Sequence, residues 1–121
     1  MNYTISQQTS HLAVTVSGMF DPEAGRRCIE DMYAAAKQSG LLKVLIDGRG
    51  LEANVSIADR HALATYLADL HDIPVRCAVL VPTALMTTKT LEHTAGNRGT
   101  PVRTTDSVTD ACVWLGVPVI D

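Results

Sequence analysis

The sequence predicts an α/β fold in a single domain spanning 1–121. The expected order is β-β-α-β-α-β-α-β-α: a mostly parallel five-stranded sheet with an antiparallel edge strand and four helices. Three observations predict it. The runs "LLKVLID", ending at Asp47, and "VRCAVLV", at 75–81, are apolar almost throughout, as in strands covered on both faces. The stretches around them carry apolar residues at helical spacing. Strands that alternate with helices join in parallel through crossovers.

The elements follow in order. Residues 2–7 and 11–17 alternate, with Tyr3 and Ile5 on one face and Leu12, Val14 and Val16 likewise. The short link "QTS" between them makes a hairpin, so the first strand is the antiparallel edge. Asp21 then caps a helix, Pro22 fits its first position and Glu23 suits its positive end. Ala24, Cys28, Met32 and Ala35 or Ala36 form the inner stripe, and Gly40 ends it. Gly25 weakens this helix or marks a close contact. Leu63, Tyr66, Leu67 and Leu70 form the stripe of a helix over 56–71. A weaker helix covers 84–97, where Thr87, Thr88, Thr90 and Thr94 lose rotamer freedom. "PVRT" is a short strand. Ser107 and Asp110 form a capping box before Val108, Ala111, Cys112 and Leu115.

Composition limits the function classes. The 121 residues are 46% hydrophobic and 19% charged, with a net charge of −3. Nucleic acid is not an expected partner, because phosphate backbones need a clustered basic face. No apolar run reaches the roughly 20 residues of a membrane span, so no stable membrane insertion is expected. The N-terminal residues have no basic stretch followed by an apolar one, as a signal peptide would. Three widely spaced cysteines, Cys28, Cys77 and Cys112, suggest neither a disulfide framework nor a zinc site. Reduced, buried thiols in a cytoplasmic protein are the expectation.

Ligands of open α/β sheets sit beyond the carboxyl ends of the strands. Asp47 stands at such an end, with a loop expected over 48–56. Thr83 and Lys89 follow another. Ser56 begins "SIAD", a capping-box spacing in which its hydroxyl caps the helix and Asp59 reaches back. A phosphate is tolerated at the same place, since a helix start favours negative charge. Arg49 and Arg60 would support that charge; Asp47, Glu52 and Asp59 would oppose it. His11, His61, His71 and His93 lack metal-binding spacing and read as solvated. Phosphate-cradling glycine motifs and a nucleophile elbow are absent. No metal, cofactor or catalytic set is expected, so the chain reads as non-enzymatic.

At this point the segments "VSGMFD", "KVLIDGRGL", "SIADR", "CAVLVP", "KTLEHTAGNRG" and "DACVWL" can be taken together. Their order and spacing resemble the SpoIIAA-like branch of the STAS superfamily, related in fold to the lipid-carrying Sec14 (CRAL-TRIO) domains. The resemblance runs over nearly the whole chain. In STAS anti-sigma-factor antagonists a strand ends in Asp or Asn, and a phosphorylatable serine lies nine residues on, within a "DSSG" motif. Asp47 and Ser56 have that spacing; the serine here sits in "NVSI". The resemblance implies a regulatory or protein-interaction module acting through the loop 48–56 and the helix 56–71. Ser56 would be the phospho-acceptor or ligand contact, and Asp47, Arg49, Asn54, Asp59 and Arg60 would bind the partner. Its Sec14 side implies an alternative: a small apolar ligand or lipid held in a cleft between helices 56–71 and 84–97. A homodimer is also expected, both from the resemblance and because the edge strand at 2–7 needs cover.

Overall fold

The structure, a computed structural model, describes residues 1–52, 56–69, 74–82 and 101–119. Five strands form one sheet in sequential order: β1 (Asn2–Gln7), β2 (Leu12–Gly18), β3 (Lys43–Leu51), β4 (Arg76–Leu80) and β5 (Val102–Thr105). β1 pairs antiparallel with β2, and each later neighbour is parallel. The helices among the described residues are α1 (Pro22–Ser39), α2 (Ile57–Asp69) and α3 (Val108–Leu115). The helix expected over 84–97, with Thr83 and Lys89, lies outside the described residues. So does the end of the 56–71 helix beyond Asp69.

The unbroken apolar runs do what their pattern predicts. Side chains alternate across a strand, so Cys77 and Ala78 of β4 enter different cores. One core joins Leu12, Val14, Val16, Val44, Cys77 and Val102 to Cys28, Met32, Tyr33 and Ala36 of α1. The other joins Ala78 and Leu80 to Ala111, Cys112 and Leu115 of α3, with Val117 docked behind them. Helices therefore cover both faces of the central strands. Each fully buried large side chain, such as Met32 or Leu80, contributes about 1.5–3 kcal/mol. On β2, by contrast, Thr15 is exposed between buried Val14 and Val16.

α1 begins and ends on the expected residues. Asp21 accepts the Glu23 N–H at 3.2 Å, Pro22 follows, and Gly40 closes the helix in the left-handed region at φ 74°. Gly25 marks a close contact: a Cβ there would lie 3.1 Å from Leu63 Cδ2 and 3.2 Å from the Phe20 ring. That is where α2 leans on α1. Two tyrosines hold the flanks of α1 through adjacent acidic residues. Tyr3 donates to Asp31 at 2.6 Å, and Tyr66 donates to Glu30 at 2.7 Å.

α3 has no basic residue in its last turn, and cations from the sheet take that place. Lys43 Nζ donates to the Gly116 carbonyl and Arg76 Nη2 to the Trp114 carbonyl, both at 3.2 Å. Positive charge at a helix C-terminus is stabilising. The Arg76 guanidinium also lies 4.3 Å from the Trp114 ring centroid, a cation–π contact. The capping box at Ser107 is half formed. Ser107 Oγ accepts the Asp110 N–H at 3.2 Å, but the Ser107 N–H donates to Thr105 Oγ1 rather than to Asp110.

One histidine departs from expectation. His11 reads as solvated in sequence, yet it is only 4% exposed. The hairpin turn, closed by the Gln8 N–H on the His11 carbonyl at 2.9 Å, folds the ring inward. Its Nδ1 lies 2.9 Å from Ser10 Oγ, and burial pushes its pKa down.

Candidate functional site

The sheet's carboxyl edge is built by the end of β3 and the start of α2. The loop expected over 48–56 is in part strand: β3 runs on to Leu51. It does so by a bulge. Thr15 stands opposite Asp47 and Ser17 opposite Gly50, so β3 advances three residues while β2 advances two. Asp47 is the last residue of β3 paired with β4, opposite Leu80, and the strand then continues beside β2 alone. The Glu52 N–H completes the run on the Gly18 carbonyl at 2.9 Å.

Two glycines permit this path. A Cβ on Gly48 would lie 3.1 Å from the Leu80 carbonyl oxygen. One on Gly50 would lie 3.1 Å from both the Val16 carbonyl oxygen and Ser17 Cβ. At these distances a Cβ would need its neighbour to give by a few tenths of an ångström.

Asp47 and Arg49, two residues apart on β3, pair beside this bulge. Arg49 Nε donates to Asp47 Oδ1 at 3.0 Å and Nη2 to Oδ2 at 2.8 Å. The Arg49 backbone N–H adds a third bond to Oδ1 at 3.1 Å. This is a two-pronged guanidinium–carboxylate pair. The hydrogen bonds from Arg49 hold the Asp47 carboxyl below the usual carboxylate range, and Asp47 in turn raises Arg49. The side chains are 31% and 48% exposed, so the pair is accessible from solvent. Its charges satisfy each other, and Arg49 is engaged before any phosphate arrives.

Ser56 stands where its helix-starting role requires. Its Oγ accepts the Asp59 N–H at 3.0 Å. Ser56 itself is exposed, and so is Ile57, at 60%. Among the described residues no hydrogen bond or ion pair links Ser56 to Asp47 or Arg49. Asp59 is half-buried in the first turn of α2. Asn54 lies outside the described residues, as does the Arg60 side chain. The cleft expected between helices 56–71 and 84–97 falls outside them too.

Two apolar residues at this edge escape the sequence reading. Met19, just beyond β2, is 66% exposed, and Ile57 opens α2. Ile57 stands off the stripe that includes Leu63 and Tyr66, and that offset is the signal that could have found it. Nucleophilic chemistry has little support in the cysteines. Burial pushes the Cys28 thiol to about 11 and the Cys77 thiol to about 12, so neither supplies much thiolate near neutral pH. Among the described residues no group of three His, Cys, Asp or Glu is placed to hold a metal. No helix among them is long and apolar enough to cross a membrane.

In comparison with known proteins, no family model matches the chain, and no curated protein resembles it significantly in sequence.

Proposed function

We propose that this chain is a non-enzymatic regulatory or protein-interaction module that meets its partner at the carboxyl edge of the sheet. The observation that carries the reading is the β3 bulge. It presents an accessible Asp47–Arg49 pair on rigid strand, at the same edge as Ser56 and the exposed Ile57. Bulges re-aim side chains where a sheet meets a ligand or partner. A charged pair beside isolated apolar side chains suits the rim and centre of a modest protein interface. The STAS-like spacing of Asp47 and Ser56 supports the same face. Within this reading Ser56 is a cap first; a phosphate added there would meet free N–H groups and a neutralised Asp47–Arg49 pair.

Affinity capture on the immobilised chain tests the reading, with Ile57→Asp and Arg49→Glu as variants. A partner held by the parent chain and lost from both variants, whose circular dichroism is unchanged, is the expected result. Partners retained equally by both would refute the face. Intact-mass analysis of the native and denatured protein adds the chemistry. A covalent gain of about 80 Da at Ser56 marks a phospho-switch. A bound mass lost on denaturation would replace this reading with a ligand carrier.

A further inference from the structure

We propose that a second copy of this chain pairs antiparallel with the outer edge of β1, across a two-fold axis, to make one sheet continuous through both copies. The two edges of the sheet differ. β5 is four residues long, follows Pro101 and carries exposed Arg103. Short length, proline and charge are the devices that keep an edge from pairing. β1 has none of them. It runs six residues, "NYTISQ", with no charged residue, no proline and an unbroken register against β2. Among the described residues no strand pairs with its outer side.

The composition of β1 favours its own copy over another partner. A two-fold contact is self-complementary, so a charged residue near the axis would meet its like. With Thr4 on the axis, Tyr3 of each copy stands against Ile5 of the other, and Asn2 against Ser6. An aromatic residue opposite a β-branched one is a stabilising cross-strand pair. Tyr3 and Ile5 share the face that packs toward α1, and Asn2, Thr4 and Ser6 share the exposed face, so the register keeps both faces matched. The nearest acidic group, Asp31 of α1, is engaged as the acceptor of the Tyr3 hydroxyl at 2.6 Å. This surface is separate from the carboxyl-edge site and does not depend on it.

Sedimentation equilibrium on the full chain tests the proposal. The parent is expected at twice 13.0 kDa. Thr4→Lys places two like charges opposite each other on the axis and should raise the dimer dissociation constant about tenfold or more. Thr15→Lys is the control. Thr15 is exposed and directly beside Thr4, but one strand further from the axis, so the dimer should persist. A parent chain still monomeric at about 100 μM would overturn the proposal, since that excludes even a weak specific contact. A dimer indifferent to Thr4→Lys, or weakened equally by both variants, would overturn it too. Thr4→Cys with a short bis-maleimide gives an independent reading, because the native Cys28, Cys77 and Cys112 are buried. Covalent dimer at micromolar concentration is expected, and monomer alone would count against the register.

Discussion

Ser56 and Ser107 start their helices in the same way, and the helices they start have different fates. Each serine hydroxyl accepts the N–H of an aspartate three residues on, at 3.0 Å and 3.2 Å. α3 then buries Ala111, Cys112 and Leu115 against the sheet, and Lys43 and Arg76 hold its end. Among the described residues α2 leans on α1, through Leu63 at Gly25 and Tyr66 at Glu30, and leaves Ile57 in solvent. Identical cap chemistry therefore says nothing about how much a helix contributes to the core. One helix is a structural wall, and the other opens on an exposed apolar residue.

The comparison breaks first, if it breaks, in the core. Leu115→Ala should cost about 2–5 kcal/mol in urea unfolding, whereas Ile57→Ala should stay within about 0.5 kcal/mol. Similar losses at both positions would show that α2 is as deeply seated as α3. Next comes the strand that carries the site. Gly50→Ala forces a Cβ against β2, at the Val16 carbonyl oxygen and Ser17 Cβ, and should cost about 1–3 kcal/mol.

The caps sharpen the contrast. Ser107→Ala should cost about 1 kcal/mol and Ser56→Ala about 0.5 kcal/mol, because a cap is worth more where the helix it starts is packed. A larger loss at Ser56 would show that α2 supports the core after all.

Two titrations give smaller effects. Burial lowers the His11 pKa, so the unfolded chain takes up a proton that the folded chain resists. Stability should be full above about pH 6.5 and fall as the pH drops below it toward the folded value. His11→Gln should flatten that slope, and an unchanged slope would assign it to another group. Arg49 lowers the Asp47 pKa, so the contribution of the pair is present above about pH 4 and lost as the pH falls through the folded value. Half exposed as it is, the pair is worth about 0–1 kcal/mol, which Asp47→Asn would measure.

Much of this was legible in the residues. Asp21, Pro22 and Gly40 announced α1 by local chemistry, and Ser107 announced α3. The unbroken runs at β3 and β4 announced strands covered on both sides, because a strand facing water on one side must alternate. Alternation in β1 and β2 announced the hairpin. Of the candidate site, Ser56 stands at the start of its helix as its spacing implied, whereas Asp47, expected at the end of its strand, lies within β3, which runs on to Leu51.

What the sequence could not decide depends on contacts between distant segments. The bulge is a matter of register between β3 and β2, and β3 runs on beside β2 after its pairing with β4 ends at Asp47. The burial of His11 comes from how a turn folds, which a period of two does not encode. Lys43 and Arg76 stand on strands, yet their side chains cap a helix more than thirty residues away in the chain. Local propensity and periodicity thus determined which elements form and which face of each is apolar. Tertiary packing decided how those elements meet, and with it which charges are paired and which serine-capped helix leaves its first residue in solvent.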